Sequence, residues 1–402
     1  MIPEYLKPYK EPPPVVVPGT FVGRVTGWVS RHKAVTVAIL AFFGTGTFLI
    51  YTTKRAQGRK RRAKRAGNGA RKEVVVIAGL PTSPITKSLM FDLERRGFIV
   101  YCIVNTQEDE QLVQREARTD LRPFHLDLVE PLSTQTSIDR FNNLLSTKHH
   151  AFSGASPHEL TFAGLIVVPD PLYLSGPIET LPAEIWSDAI DTKILKTIAT
   201  IQAFLPTICE FQSRVLVLTP SIVSSLRPPF HAIENMVVSA LDGFTTTLSR
   251  ELRTLGIPVI SIKLGSFDCS NHSPKNSLQP ISESRTYAWP MSARTFYAQN
   301  FITQSRLAES RGLFGESGSV AKGSSLRELH HVVFDALTAK SPYSTWRVGR
   351  GSVAYDLIGR LVPSSVIGWM LGLRRMSLAE IATPQQVDEA SQTWEKVEGG
   401  AI

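Results

Sequence analysis

The clearest element that the pattern of apolar and polar positions predicts is one long amphipathic helix. Its apolar residues are Ile233, Met236, Val237, Ala240, Leu241, Phe244, Leu248 and Leu252. They recur at three- and four-residue spacing between about Ala232 and Leu255, which makes one helical face continuously apolar. Gly256 follows as a C-cap, and Pro258 prevents the helix from continuing. The β-branched run Val259–Ile262 then predicts a buried strand.

Apolar runs upstream of this helix predict further strands, with helices between them. The predicted strands are Val74–Ala78, Ile99–Val104, Arg122–Leu128, Phe162–Val168 and Arg214–Thr219. A helix at Ser83–Arg96 separates the first two, and a longer helix is predicted within Gly176–Pro206. Strands that alternate with helices are typical of a doubly wound parallel sheet. We therefore predict a Rossmann-like α/β domain over residues 73–350.

The region before this domain predicts a membrane anchor. Residues 1–33 begin with a Pro-rich stretch and are predicted to form a disordered arm. The stretch Ala34–Tyr51 has no charged residue and would span roughly 27 Å as a helix, enough for a bilayer core. Lys33 and Lys54 bracket it and no cleavage site follows, so we predict a single retained transmembrane helix at 34–53. A buried core helix is the alternative.

Basic residues are concentrated in this N-terminal region. Residues 1–72 contain 15 Lys and Arg but 2 acids, a charge of +13, so residues 73–402 carry −4 because the whole chain carries +9. A nucleic-acid groove on the folded domain is therefore not predicted. The polybasic linker 54–72 favours contact with anionic lipid headgroups. The excess of basic residues on this side of the predicted helix also predicts that the domain faces the cytosol. So short an anchor suits the mitochondrial outer membrane or the endoplasmic reticulum.

Metal and disulfide chemistry are not predicted. The three cysteines, Cys102, Cys209 and Cys269, are scattered and two of them lie in apolar runs, which indicates free buried thiols. The histidine pairs at 149–150 and 330–331 have no Cys or acidic residue at metal-ligand spacing. We therefore predict no metal site.

The long helix and the strand after it resemble the central unit of the short-chain dehydrogenase/reductase superfamily. Leu241–Phe244 aligns with the family's usual LEGF sequence. In that family the helix carries the catalytic Tyr and, four residues later, a Lys whose charge lowers the Tyr pKa. The alignment puts Glu234 and Val238 at these two positions. None of the nine tyrosines has a Lys four residues later, so no other alignment restores the pair.

The same resemblance implies two further catalytic positions. The family's catalytic Asn falls on Lys193, within a stretch that closely matches the family's loop and long helix. Ser221 lies thirteen residues before Glu234, which is the family's spacing between catalytic Ser and Tyr, although a Ser after a strand is also a common turn former. The candidate catalytic residues are Ser221, Glu234 and Lys193. Because the last two should face one another, we predict an ion pair between them.

The resemblance also implies a nicotinamide cofactor, NADP or NAD, at the turn after the first strand. The family's TGxxxGxG corresponds to Ala78–Ile85, in which Gly79 is kept while Ser83 and Ile85 replace the other two glycines. A Cβ at these two positions narrows the space for the pyrophosphate, and Pro84 removes a backbone donor. The turn thus keeps part of the family's cofactor-binding pattern.

Side chains near this turn could compensate for the lost glycines. The hydroxyls of Thr82 and Ser83 are suited to a phosphate at a helix N-terminus. The family's adenine-contacting Asp falls on Asp127, although an Asp after a strand is also an ordinary turn residue. The predicted cofactor-binding residues are Gly79, Thr82, Ser83 and Asp127.

Two later segments resemble a substrate lid and a membrane contact. Residues 268–318 are long and polar and contain several aromatic residues, as in the family's lid. Residues 351–375 resemble the membrane-dipping segment of membrane-bound retinol- and hydroxysteroid-type members. Their apolar residues, bounded by Arg374 and Arg375, predict an interfacial segment, and a hairpin packed on the domain is the alternative. Residues 376–402 predict a disordered tail.

Three functions stay open from the sequence. The lost catalytic features favour a membrane-anchored pseudo-enzyme, a scaffold or a lipid or cofactor sensor that could engage a membrane-protein partner. The retained lid favours an NAD(P)-dependent oxidoreductase acting on a lipophilic alcohol or ketone, such as a sterol, a retinoid-like molecule or a sphingoid. The third function is a membrane tether that acts through its polybasic linker. Over residues 73–375 the pattern resembles an uncharacterised fungal family of membrane-bound short-chain-dehydrogenase-like proteins.

Overall fold

The computed structural model describes residues 61–150, 154–269, 285–311 and 323–375, and within these ranges its centre is a seven-stranded parallel sheet. The strands are β1 (Glu73–Ala78), β2 (Ile99–Val104), β3 (Leu121–His125), β4 (Thr161–Val167), β5 (Arg214–Pro220), β6 (Val259–Leu264) and β9 (Thr345–Val348). Two short strands, β7 (Phe267–Asp268) and β8 (Ser324–Ser325), form a separate parallel pair. The order β3-β2-β1-β4-β5-β6-β9 confirms the predicted Rossmann-like parallel sheet.

Helices cover both faces of this sheet. They are α1 (Pro84–Arg96), α2 (Gln107–Arg115), α3 (Pro131–Ser146), α4 (Ala183–Ala189), α5 (Lys196–Glu210), α6 (Ser221–Leu226), α7 (Ala232–Arg253), α8 (Met291–Arg311), α9 (Leu326–Thr338), α10 (Ser352–Leu361) and α11 (Ser364–Met370). Helix α7 is the long amphipathic helix of the sequence, and Gly256 beyond it has φ = +75°. The predicted helix before β5 is divided, because a π-helical turn at Ile190–Leu195 separates α4 from α5.

The alternation of side chains along β1 divides the core into two layers. Val75 and Ile77 pack with residues of α1 and α9, whereas Val74 and Val76 pack with residues of α3, α5 and α7. The second layer contains an aromatic cluster with ring centroids 5.4–6.5 Å apart, formed by Phe124, Phe141, Phe162 and Phe204. Because both faces of β1 are buried, its sequence after Glu73 is continuously apolar and does not alternate.

The second half of the predicted polybasic linker is bound to the domain. The guanidinium of Arg61 donates two hydrogen bonds to the carboxylate of Asp335 in α9, at 3.0 and 2.8 Å. Arg71 pairs with Glu94 in α1 at 3.0 Å. The side chains that stay exposed between them are Arg62, Lys64 and Arg65. The five basic residues of 61–71 therefore divide into two that hold the segment on the domain and three that keep their charge at the surface.

The predicted transmembrane helix at 34–53 lies outside the described residues, as do the arm 1–33 and the tail 376–402. In the ranges that are described, no helix combines the length and the apolar character needed to cross a bilayer. The anchor therefore stays a prediction from the sequence.

Candidate functional site

The positions that correspond to the family's four catalytic residues lie around one edge of the sheet. Ser221 directly follows β5, Lys193 lies in the π-helical turn, and Glu234 and Val238 lie in the first two turns of α7. Helix α7 contacts both α6 and the π-helical turn. The fold thus gathers these positions near the carboxyl ends of the strands, where doubly wound proteins bind ligands.

The hydroxyl of Ser221 is buried and already bonded. The residue is 1% exposed, and its Oγ donates a hydrogen bond to the backbone carbonyl of Ser352 at 3.0 Å. Ser352 begins α10, which packs along α6, and Gly359 of α10 lies directly against the backbone of Ser225. The C-terminal helix therefore covers the position at which the family has its catalytic Ser.

The two α7 positions that correspond to the family's Tyr and Lys carry neither of these side chains. Val238 is 1% exposed and forms part of the protein interior. Glu234 is mostly buried, and its Oε2 lies 3.2 Å from Nδ1 of His231, which precedes α7. No ammonium group takes the place of the family's Lys, because the side chain at that position is a buried hydrocarbon.

Lys193 is held by groups from the loop after β4. Its Nζ lies 2.6 Å from Oδ2 of Asp170 and also donates to the carbonyl of Leu172. The same nitrogen lies 4.6 Å from the ring centroid of Tyr173, a cation–π contact. The charge of this lysine is therefore paired within the site.

The predicted ion pair between Glu234 and Lys193 is wrong. Lys193 pairs with Asp170, and Glu234 finds a closer partner in His231, three residues earlier in the chain. Residues three apart at the start of a helix are neighbours. Asp170 lies in the loop after β4, and the path of that loop cannot be read from the sequence.

A double-mutant cycle tests this pairing. With Lys193→Met and Asp170→Asn we expect a coupling free energy of about 1–2 kcal/mol, because the pair is only partly exposed. The matched cycle with Glu234→Gln in place of the Asp170 variant should give less than about 0.3 kcal/mol. Chemical unfolding of the four proteins in each cycle measures both values. A larger coupling to Glu234 than to Asp170 would contradict the observed geometry.

Sequence reasoning missed a polar cluster farther along α7. Asp242 accepts a hydrogen bond from Thr219 at 3.2 Å and pairs with Lys263. Thr219 and Lys263 are register partners on β5 and β6, so the cluster ties α7 to the sheet. A lysine within an apolar strand is the signal that could have predicted an acidic partner nearby.

The turn after β1 keeps its first glycine for a steric reason. A Cβ at Gly79 would lie 2.8 Å from Oγ1 of Thr86 and 2.9 Å from Cβ of Val168, closer than side chains normally approach. The close packing of β1, α1 and the end of β4 therefore requires glycine here.

Two hydroxyls at the N-terminus of α1 fit a polar ligand. Ser83 precedes the helix and Thr86 lies in its first turn, and both side-chain oxygens are buried without a hydrogen-bond partner among the described residues. Thr82 is exposed in the same turn. A buried hydroxyl without a partner is costly, and a helix N-terminus favours anions, so this end suits the phosphates of a dinucleotide. The catalytic end does not suit the family's reaction, because Val238 stands where the Lys is needed.

Asp127 acts as a turn residue in this structure. It lies just beyond β3 and is exposed, and its Oδ1 accepts a hydrogen bond from the backbone N–H of Val129 at 2.9 Å. This is the local turn geometry that Asp commonly stabilises. A role for Asp127 in binding adenine stays a prediction.

The described part of the predicted lid is closed onto the neighbouring loops. Trp289, just before α8, packs against Phe301 within it, with ring centroids 5.0 Å apart, and Phe301 packs against Phe230 at 5.5 Å. At the other side, Asn300 exchanges two hydrogen bonds with the backbone of Arg374. Two aromatic side chains of the predicted lid, Trp289 and Phe301, therefore pack with each other and with Phe230.

The cysteines are free thiols, and burial raises the pKa of Cys102 to about 12, with Asp109 adding to the effect. Such a thiol stays protonated at neutral pH and is a poor nucleophile. Among the residues that the structure describes, no three His, Cys, Asp or Glu side chains form a group that could hold a metal ion.

Comparison with known proteins places the chain in a family. The fold is similar to that of a short-chain dehydrogenase from Streptomyces avermitilis, with a TM-score of 0.52 at 14% identity, covering 82% of this chain and 98% of that one. The sequence is 28% identical over 316 residues to UPF0744 protein C106.03 of Schizosaccharomyces pombe, covering 73% of this chain and 84% of the relative. It is 32% identical over 137 residues to the uncharacterized oxidoreductase MW2403 of Staphylococcus aureus, covering 32% of this chain and 59% of that protein.

These similarities confirm the resemblance to short-chain dehydrogenases and to an uncharacterised fungal family. The sequence profile of the fungal family of unknown function DUF1776 matches residues 70–368, the whole of the described sheet. This chain belongs to that family.

Proposed function

We propose that this protein is a membrane-anchored scaffold with a short-chain-dehydrogenase fold and no oxidoreductase activity, in which the nucleotide end of the site serves as a sensor. The observation that supports this most is the environment of Val238, a buried apolar side chain where the family's reaction needs a lysine. In the family's reaction it is the charge of that Lys that lowers the pKa of the catalytic Tyr. The family's Tyr is also absent, because the residue there is Glu234.

A relocated catalytic pair does not replace the missing residues. Tyr173 and Lys193 approach one another, but the ammonium is already paired with Asp170. Ser221 is likewise occupied, since its hydroxyl is bonded beneath α10. The side chains at these altered positions thus take part in packing, ion pairing and hydrogen bonding within the folded domain. Such structural roles are what we expect in a scaffold.

The sensor part of the proposal rests on the turn after β1. The hydroxyls of Ser83 and Thr86 have no hydrogen-bond partner among the described residues, and they suit the phosphate oxygens that a nicotinamide dinucleotide or a phospholipid headgroup carries. The same observation favours the second candidate function, an NAD(P)-dependent oxidoreductase acting on a lipophilic alcohol or ketone. That function would require a proton donor other than the family's Tyr.

The membrane part of the proposal rests on the sequence. The uncharged stretch Ala34–Tyr51 would anchor the protein in the mitochondrial outer membrane or the endoplasmic reticulum, with the domain in the cytosol. The exposed residues Arg62, Lys64 and Arg65 would contact anionic headgroups. A membrane protein is the kind of partner that such a scaffold would hold.

Calorimetric titration of NADPH and NADH into the full chain in detergent tests the proposal. We expect NADPH or NADH to bind, as the sensor requires, and we expect no hydride transfer with lipophilic alcohols or ketones. If binding is found, Thr86→Val should weaken it, whereas Thr82→Val, at an exposed position, should not. Micromolar binding with turnover would overturn the scaffold function in favour of the oxidoreductase. Extraction of the full chain from membranes at alkaline pH would separately disprove the anchor.

A further inference from the structure

The segment between β4 and α5 has a packed inner side and an exposed outer side. Lys193 holds the two halves of the segment together, because its ammonium binds both the Asp170 carboxylate and the carbonyl of Leu172. The inner side packs on the start of α7 through partly buried apolar side chains, which are Tyr173, Leu181, Ile185, Trp186 and Ile194. The outer side is therefore the surface of a firmly attached structure.

This outer side exposes large apolar side chains. Ile178 is 67% exposed and Leu172 is 61% exposed, and Leu195 at the end of the π-helical turn is 52% exposed. Leu174 and Ile190 are exposed as well. Single apolar residues on a surface are ordinary, but five of them on one short segment indicate an interaction surface.

The charged residues of the same segment are acidic. Residues 170–192 contain five acids and no Lys, Arg or His. Asp170 is bound to Lys193, and the other four residues are exposed, namely Glu179, Glu184, Asp188 and Asp191. The last three are spaced four and three residues apart, so they lie on the outer face of α4 and the start of the π-helical turn. The exposed apolar side chains thus lie beside negative charge, and the next exposed base in the chain is Lys196.

Two occupants are disfavoured by this charge. In a symmetric contact between two copies of the chain, the same face lies on both sides of the interface. The acids of one copy would then meet the acids of the other, and like charges across an interface are costly. An anionic lipid surface is disfavoured for the same reason. A partner that carries apolar side chains together with Lys or Arg satisfies both features of the face.

We propose that the outer face of residues 172–195 binds a cationic amphipathic helix of a partner protein. Apolar side chains of the partner would cover Leu172, Ile178 and Leu195. Its basic side chains would pair with Glu184, Asp188 and Asp191. The inference rests on the proposed scaffold function, and it names the surface by which the scaffold would hold its partner. Binding of an amphipathic helix through its apolar face is a common mode of recognition, and complementary charge makes it selective.

Binding of a synthetic peptide to the full chain in maltoside detergent tests this contact. The probe is a fluorescent amphipathic helix of Leu and Lys, and fluorescence anisotropy measures its affinity. We expect the double variant Glu184→Lys/Asp188→Lys to weaken binding by about tenfold or more. The control Glu210→Lys/Glu251→Lys changes the net charge equally at exposed acids outside the segment, and it should weaken binding by less than about twofold. Detergent micelles bind the peptide equally in both variants, so the difference between the variants reports the face.

A second pair of variants tests the apolar part of the face. We expect Ile178→Ser to weaken binding by about fivefold, because the partner would bury this side chain. The matched change Leu255→Ser, at a residue that is 53% exposed after α7, should have no effect. A peptide with Glu in place of Lys should bind the double variant at 184 and 188 more tightly than it binds the wild type. Since all substituted residues are exposed, thermal unfolding should show that every variant is folded.

Three results would overturn the inference. Equal weakening by the two double variants would mean that the peptide senses only the net charge. Unchanged binding with Ile178→Ser would show that the apolar side chains take no part. A wild-type dimer that Ile178→Ser dissociates in sedimentation velocity would show that the face joins two copies. Hydride transfer reports on the proposed function separately, so an inactive chain without peptide binding would refute only this contact, whereas turnover with intact peptide binding would refute only the lack of activity.

Discussion

Val238→Lys is expected to destabilise the domain by about 4 kcal/mol at pH 7. The substitution restores the family's residue at a position that is 1% exposed here. Burial lowers a lysine pKa by about 3 to 5 pH units, and each unit corresponds to about 1.4 kcal/mol. The unfolded chain then binds more protons than the folded one below the usual pKa of Lys, so the destabilisation should shrink as the pH rises toward 10. Thermal and urea unfolding of the full chain in detergent at several pH values measure the effect.

The matched control is Val353→Lys, since Val353 is 63% exposed on α10. This variant should change stability by no more than about 0.5 kcal/mol, as surface substitutions usually do. If Val238→Lys is tolerated as well as its control, the position is open and the site retains room for the family's lysine. Such a result would remove the main support for an inactive scaffold.

Gly359→Ala is expected to destabilise the protein by about 2 kcal/mol or more, although Ala is ordinarily the better residue in a helix. An added Cβ would overlap the backbone carbonyl oxygen of Ser225, where α10 crosses α6. Neighbouring backbone cannot move aside as a flexible side chain can, and overpacking typically costs about 1–3 kcal/mol. Because α10 also accepts the hydrogen bond of Ser221, its displacement should expose the Ser221 edge of the domain. Limited proteolysis within α10, together with thermal unfolding, measures both effects.

Gly243→Ala in α7 is expected to have the opposite effect on stability from Gly359→Ala. Apart from the adjoining residues and backbone of α7 itself, no atom of the described residues would lie within 4 Å of an added Cβ at Gly243, so the helix preference for Ala should stabilise the protein by about 0.5–1 kcal/mol. Stabilisation by both substitutions would mean that α10 does not pack closely on α6. In that case Ser221 would be accessible, and its candidacy as a catalytic residue would be strengthened.

The fold could be predicted because its signals are local or periodic. The apolar spacing of α7 and the continuous apolar run of β1 each follow from which faces are buried. The replacement of two of the family's glycines in the turn after β1 could also be read from the sequence, because the backbone conformations open to a turn depend on residue type. The π-helical turn at Ile190–Leu195 was missed, because it depends on packing within a segment whose composition is simply helical.

The partners of the site residues could not be predicted in this way. Lys193 was paired with Glu234 by family geometry, and the loop after β4 supplied Asp170 instead. The ring of Tyr173 reached the same lysine, although the two residues are far apart in sequence. Which side chains meet depends on loop paths and on the free energy of the competing contacts, neither of which a linear pattern contains.

The sequence by itself determined the parallel α/β fold, the resemblance to short-chain dehydrogenases and the absence of the Tyr–Lys pair, because these depend on residue identity and spacing alone. Only the tertiary structure decided that Val238 is interior, that α10 covers Ser221, and that one face of α10 and α11 packs while the other stays exposed. These features require elements distant in the chain to meet, and their free energies come from contacts that exist only after the sheet has assembled.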